Sequence, residues 1–505
     1  KYPSTIHARE RRPKRSVPKP RIVRGMVAIP TNRGTACPTK LKAALRAKRP
    51  PDILNLPSPC SDLDMRPALG YLRDMTRLSN LLLFAILAGT PLVPPVHKGS
   101  FVRTVALALL LVSAPGLVRA RPKVGGGVDL SILAFLLWSL ISSALVSDFP
   151  GHSLRSFSFL VLHTALLYIA FETARRGDRY IPVAPALGGA VAAAVGILQY
   201  YEIGPFHRSP VFGSRITSTF SNPNHLSSYI GVCFLVLLGL SFAEERGRLR
   251  LFIYAGMLLM YTALLMAGTR GVFVSLGAAG ALCIGALFKF GWKSRVLERW
   301  REGLGLLCAM GLITFLYSVP SPVNRGSEAS ERIASSVEIL RAPRTKDTHI
   351  LHRWLIWSVT VDIVKSHPLT GVGYGTYGLE YASAQEKFLS EPNNASKFRS
   401  FRPPPVPYAH NEYLHIFAET GIVGLALFLA FLSTGLVRAV RRFRSLDPGL
   451  MPIWLGVAGG LISILVHGLV SYPLHMPATA VLFWTLLGWI VAPLRPTSHA
   501  REHGR

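Results

Sequence analysis

The sequence predicts an all-α polytopic membrane protein, with about twelve transmembrane helices and one long external loop containing short helices. Three observations carry this. Only 16% of the 505 residues are charged and 50% are hydrophobic, whereas roughly a quarter of a soluble domain is charged. Apolar runs near the length that crosses a bilayer recur along the chain. Lys and Arg collect at alternate exits of those runs, as positive-inside insertion requires. A membrane β-barrel would need alternating segments of about ten residues, and the chain has none.

Residues 1–78 are basic and Pro-rich, without an apolar run long enough to span. They read as a disordered cytoplasmic tail. The chain begins at Lys1, so part of this tail reads as an upstream extension, with Met26, Met65 or Met75 as alternative starts. No small-residue cleavage pattern marks it as a secretory signal. Asp62-Leu63-Asp64 resembles a metal-binding DxD, but falls in this tail on the cytoplasmic side.

Apolar runs follow at 79–96, 101–118, 128–146, 156–172, 182–200, 226–243, 251–267, 271–290 and 304–319, giving transmembrane helices over 79–319. The first is interrupted by Pro91, Pro94 and Pro95. A polar segment, 320–411, precedes three more runs at 412–437, 452–471 and 477–494 and a cytoplasmic tail, 495–505. Arg119 and Arg121, Arg175 and Arg176, Arg246 and Arg248, Lys293 and Arg295, and Arg441 and Arg442 follow the even-numbered runs. Those exits and both termini are therefore cytoplasmic, and 201–225, 268–271, 320–411 and 472–476 are external. Within the long loop, 350–366 reads as a helix ended by His367-Pro368, and 390–407 as a polar, proline-rich lid. Gly421 and Gly424 form a small-residue stripe that allows another helix to approach closely.

The formal charge of +30 would suggest nucleic acid in a soluble protein. Here the charge sits in loops and tails, and no nucleic-acid-binding module accompanies it. Cys37, Cys60, Cys233, Cys283 and Cys308 are scattered, without CxxC spacing, so neither a disulfide framework nor a metal site is expected.

Four external features could carry chemistry: Arg215 with Thr219-Phe-Ser-Asn-Pro-Asn224-His225, Gly268-Thr-Arg270-Gly271, Arg353, and His410-Asn411. One arginine at a membrane surface is usually an interfacial anchor. Three on the side that positive charge otherwise avoids, beside a histidine, suggest a phosphate or pyrophosphate ligand, because guanidinium binds such groups bidentately and stays charged. His410 is either a satisfied structural histidine or the base for an attacking hydroxyl, a role that its ordinary pKa near 6.5 suits. Asn411 and Glu412 stand where they would orient it, although Glu412 also reads as a cap on the following helix. Glu419, further along that helix, is either paired with an arginine or structural. His467, Tyr472 and His475, at the last external turn, either line the site or sit at the interface, the second being the favoured reading.

Several look-alikes fail. Gly373-x-Gly375-x-x-Gly378 lacks a βαβ context and reads as a glycine-rich turn. His410 and His415 lack the HExxH zinc spacing. No GxSxG or Walker A motif is present.

Together, Phe220-Ser-Asn-Pro-Asn-His-Leu, Gly268-Thr-Arg-Gly, Arg353-Trp354, Pro368-Leu-Thr-Gly-Val-Gly-Tyr-Gly-Thr-Tyr377, His410-Asn-Glu-Tyr-Leu and Glu419-Thr-Gly-Ile-Val-Gly424 resemble the O-antigen ligase/polymerase family of bacterial membrane enzymes. The resemblance covers about 150–494. It implies glycosyl transfer, inverting and without a metal or other cofactor, from an undecaprenyl-pyrophosphate-linked saccharide to a lipid A-core or glycan acceptor. The setting it implies is the inner membrane, with the active site facing the periplasm. It places His410 and Arg270 as catalytic residues and Arg215, Arg270 and Arg353 on the pyrophosphate. Asn224, Asn411, Glu412 and Glu419 stand as support. The partners implied are the lipid-linked glycan, its acceptor and membrane lipids, with no nucleic acid. Ligase and polymerase are not separable from these residues. A polysaccharide transporter or a non-enzymatic membrane scaffold are the alternatives of another class.

Overall fold

A computed structural model of the chain describes residues 66–178, 180–291, 293–319, 348–398 and 403–494. The predicted tails over 1–65 and 495–505, the Asp62-Leu63-Asp64 motif and 320–347 of the long loop lie outside them.

The described residues are helical, with no strand among them. The first eight helices are α1 (Arg66–Gly89), α2 (Pro95–Ala120), α3 (Val128–Ile141, ending in a π-turn, Ser142–Val146), α4 (Pro150–Arg176), α5 (Val183–Tyr201), α6 (Pro223–Ala243), α7 (Gly247–Ala267) and α8 (Arg270–Lys289). A short α9 (Lys293–Glu298) leads to α10 (Trp300–Ser318). The loop segment holds α11 (Thr348–Ser366), α12 (Tyr377–Ser390) and α13 (Pro392–Lys397). The chain then returns as α14 (Glu412–Phe443), α15 (Met451–His467) and α16 (Pro477–Val491).

Each of the twelve apolar runs corresponds to one helix, and ten of these helices are long and apolar enough to cross a membrane. The two others differ for physical reasons. Helix α10 carries Arg301 and Glu302 in its first turn, and α16 has only 15 residues. At the N-terminal end the helix begins at Arg66, upstream of the expected 79, so 66–78 is helical and not an irregular tail. The three prolines do not interrupt this helix. It ends at Gly89, Pro91 lies in the first turn of a short 3-10 segment (Thr90–Leu92) and Pro95 is the first residue of α2, positions where a missing N–H costs little.

Helix α15 is the centre of the bundle, packed on α6 and α8, while α16 packs on α4 and α14 on α3. The α6–α15 crossing is backbone on backbone. A Cβ on Gly456 would lie 2.6 Å from the Leu235 carbonyl, the close approach that small residues allow between membrane helices.

The expected small-residue stripe divides: Gly424 lets α3 approach, a Cβ there lying 3.1 Å from Trp138 Cδ1, whereas Gly421 serves another purpose. Gly421 is non-helical, with φ 68° and ψ −175°, and breaks α14. A Cβ there would sit 2.1 Å from the Leu369 carbonyl, so the close neighbour is the loop 369–371 and not a helix. The break frees carbonyls that need donors inside the membrane. Val372 N–H donates to Ala418 O (3.0 Å), Gly373 N–H to Glu419 O (2.9 Å), and Trp138 Nε1 to Thr420 O (2.8 Å). Ser142 Oγ also donates to Glu419 O, at 3.1 Å. The glycine-rich turn is thus a clamp on α14.

Helices α11–α13 form a small unit around their own core of Leu355, Ile356, Val359, Ile363, Tyr377, Tyr381, Phe388 and Phe398. The expected helix over 350–366 is α11. The first part of the expected lid, 390–407, contains α13.

Candidate active site

Three short sequence features fix the backbone around His410. Asn411 is the N-cap of α14, its Oδ1 accepting from Leu414 N–H at 3.0 Å. Ala409 is held from both sides: its carbonyl accepts from Trp357 Nε1 (3.0 Å) and its N–H donates to His415 Nδ1 (3.2 Å). Between them His410 adopts φ 52°, the left-handed region. That conformation is uncommon outside glycine, and histidine is among the side chains enriched in it. Its ring stands edge-on to Tyr472, 4.9 Å between centroids. Tyr472 in turn stacks on Tyr408 at 4.2 Å and meets His225 at 5.3 Å. Among the described residues no hydrogen bond reaches the His410 ring.

Burial, then the positive field of Arg353, then the rings of His352, His225 and His415, push His410 down to about 3. The imidazole is therefore neutral at pH 7 and presents a lone pair.

The three arginines are placed differently. Arg215 Nε donates to Ala267 O (2.7 Å), and Nη2 to Asn224 Oδ1 (3.0 Å) and Thr269 Oγ1 (3.1 Å). Arg215 ties the 215–224 loop to the end of α7 and the start of α8. Asn224 serves the same joint. Lys98 steadies this loop from α2, with Nζ donating to Thr219 O at 3.1 Å and lying 3.8 Å from the Phe220 ring centroid. Arg270 is exposed at the first residue of α8, where the positive end of the helix dipole reinforces its attraction for an anion. Arg353 is half-buried on α11, with no hydrogen bond or carboxylate partner among the described residues, and burial lowers its pKa. An uncompensated guanidinium in that setting favours an anionic ligand.

One corner brings these elements together. A Cβ on Gly271 would lie 3.1 Å from His467 Cδ2, and the next carbonyl, Gly468 O, accepts from Glu412 N–H at 2.7 Å. Arg270 and His410 therefore flank the same end of α15.

Beneath His410 lies a buried charge network that the sequence reading did not assemble. His475 Nδ1 is 2.7 Å from Glu412 Oε1 and its Nε2 is 3.8 Å from Glu419 Oε2. Burial opposes charge on His475, but the two carboxylates overcome it and push its pKa up to about 10. His415 Nε2 lies 3.1 Å from Glu419 Oε1, which also accepts from Tyr377 N–H at 3.2 Å. Glu419 is thus paired with histidines, not an arginine. Glu412 is not a helix cap: its Oε2 accepts from Leu474 N–H at 2.9 Å and holds the 472–476 turn. Asn411, expected to orient His410 directly, caps the helix instead.

His415, Glu419 and His475 have donor atoms within 4.8 Å of one another, close enough to consider a metal. Hydrogen bonding argues for protons there. Ala409 N–H occupies the Nδ1 lone pair of His415, so Nε2 carries the proton given to Glu419.

His467 and Tyr472, read as interfacial, are buried in this wall, and His467 Nδ1 meets Ser228 Oγ at 2.7 Å. The available signals were two: His415 and Glu419 are four apart, on one helix face, and three polar aromatics crowd a single short turn.

Residues 255–429 match the O-Antigen ligase family. That span contains Arg270, Arg353, His410, His415 and Glu419, and leaves out Arg215, Asn224 and His475. The chain is also 26% identical over 327 residues to the exopolysaccharide production protein ExoQ of Rhizobium meliloti (strain 1021), a match spanning 63% of this chain and 66% of that protein, just under two thirds of its length. Both findings support the resemblance drawn from the motifs. Over that span the chain is similar to the O-antigen ligase family, and it is a multi-pass membrane protein, with ten helices among the described residues long and apolar enough to cross a membrane.

Proposed function

We propose that this protein transfers a saccharide from a polyprenyl-pyrophosphate carrier to a hydroxyl of a glycan acceptor, at the periplasmic face of the cytoplasmic membrane. The observation that carries the reading is Arg353: a half-buried guanidinium with no counter-charge among the described residues, close enough to His410 to depress its basicity. A pyrophosphate supplies the missing charge.

The acceptor hydroxyl attacks the anomeric carbon opposite the pyrophosphate, and the configuration inverts. The C–O bond to the sugar forms as the bond to the pyrophosphate oxygen breaks. The hydroxyl proton passes to the His410 ring, and the electron pair leaves on the pyrophosphate. Arg353, Arg270 and the α8 N-terminus stabilise that growing charge. The arriving anion also offsets the field of Arg353, the second cause of the depression after burial, so the imidazole gains basicity once donor is bound.

Of the two acceptors, a growing glycan is favoured over lipid A-core. The relative is named for production of an exopolysaccharide, and a secreted polymer must be lengthened. Purified protein given one lipid-linked repeat alone should lengthen it; a ligase would need a second acceptor. His410→Ala and Arg270→Ala should each lower transfer by about 10²–10³, the usual loss for a preorganised group, with membrane insertion intact. Transfer at wild-type rates in either variant contradicts the assignment.

A further inference from the structure

The α11–α13 unit has a second feature. A groove of about 410 Å³ runs along α11 and is closed by α13, within the size range of small-molecule sites. Its α11 side presents Trp354, Trp357, Ser358, Asp362 and Lys365, and its α13 side presents Asn394 and Lys397. Trp354 is 49% exposed although it is large and aromatic. One part of its ring leans on Phe398, 5.4 Å between centroids, and Lys397 Nζ sits 5.9 Å from its centroid.

This combination has a specific chemical complement. A pyranose has a face of C–H groups and a rim of hydroxyls. The face needs a flat apolar surface, which an indole supplies. The rim needs planar acceptors and donors at several heights, which Asp362, Asn394, Ser358 and the two lysines supply. Asp362 and Lys365 already meet at 3.2 Å and Asn394 Nδ2 donates to Glu391 Oε2 at 2.8 Å, so these groups are held in place with donors and acceptors to spare for hydroxyls, and an anion would face Asp362.

The groove is also joined to the reaction centre. Trp357 lines it and donates its indole N–H to the carbonyl of Ala409, the residue before His410. Trp354 directly follows Arg353 in the chain. We infer that this groove is a saccharide subsite, holding a sugar of the glycan chain beyond the one that reacts, and that Trp354 is its stacking platform. The inference deepens the transferase reading and rests on it for the identity of the glycan.

The test uses full-length protein in detergent and, as probe, lipid-free oligosaccharides released from the host's own polysaccharide. Saturation-transfer NMR reads binding without requiring turnover. Wild type and His410→Ala should bind equally. Trp354→Ala should bind at least tenfold more weakly, and Trp354→Phe should recover most of the loss. If Trp354→Ala does not remain monodisperse, Asp362→Ala, at an exposed edge of the groove, takes its place with the same expectation. Undiminished binding in a folded groove variant, or no binding by wild type, overturns the subsite. The two readings fail separately. Loss of binding in Trp354→Ala, with no transfer from any lipid-linked donor by wild type, keeps the groove and rejects the transferase. Transfer that depends on His410, with sugar binding indifferent to Trp354, does the reverse.

Discussion

Two charged clusters lie a few residues apart at one end of this bundle, and they are opposites. Around Glu412, Glu419, His415 and His475 each carboxylate has a ring partner and a backbone donor. Around His410, Arg353 and Arg270, cations gather with no carboxylate set against Arg353 among the described residues, and the imidazole is forced neutral. The first cluster sets its charges against one another within the fold. In the proposed function the second is completed by an anion. Charge in a membrane protein marks function where it is left unbalanced, and architecture where it is balanced.

Mutation should separate the two. His475→Ala strands the buried Glu412 carboxylate, Glu419 keeping His415, and should cost about 3–5 kcal/mol of stability, the usual result of breaking a buried pair. His410→Ala removes a ring without hydrogen bonds and from a left-handed backbone position, so its loss should appear in transfer and barely in thermal unfolding. Equal unfolding temperatures for His475→Ala and wild type would erase the contrast.

pH sharpens it further. The pKa of His475 is raised in the fold, so its stabilisation is complete below about 6.5, the ordinary imidazole value, and is lost as pH climbs through about 10. His410 moves the other way: the free protein keeps it neutral until about 3. The kcat/KM profile, which reports the free enzyme, should therefore lack an imidazole limb between about pH 5 and 7. The kcat profile should show one, because bound pyrophosphate restores basicity. An acid limb in kcat/KM near the ordinary imidazole value of about 6.5 would contradict the depressed ring.

Much of the fold was legible because apolar run length and loop charge are local properties. All twelve runs became helices, and the ends erred where proline chemistry cuts both ways, at Pro91 to Pro95. The break at Gly421 was not legible. A glycine pair in an apolar run reads equally as a helix contact or a kink, and only the loop 369–373, arriving from 50 residues upstream, decides. A discontinuous helix is a transporter trait, but here Val372, Gly373, Trp138 and Ser142 cap the freed carbonyls at Ala418, Glu419 and Thr420. Of the proposed site, His410, Arg270 and Arg353 stood out in the sequence as basic side chains in segments expected to be external. The role of Arg215 did not, since whether a guanidinium is occupied depends on Ala267, Asn224 and Thr269 in three dimensions. His475 was missed because its partners lie more than 50 residues away.

The most direct test of the central claim is equilibrium binding of undecaprenyl pyrophosphate to the purified protein. Wild type should bind it, and more weakly as salt rises. Arg353→Ala should lose about tenfold or more, a difference of about 1.4 kcal/mol at the least, while His475→Lys, which keeps a positive charge in the balanced cluster, should bind as wild type does. Arg353→Ala binding the pyrophosphate as tightly as wild type would contradict the account.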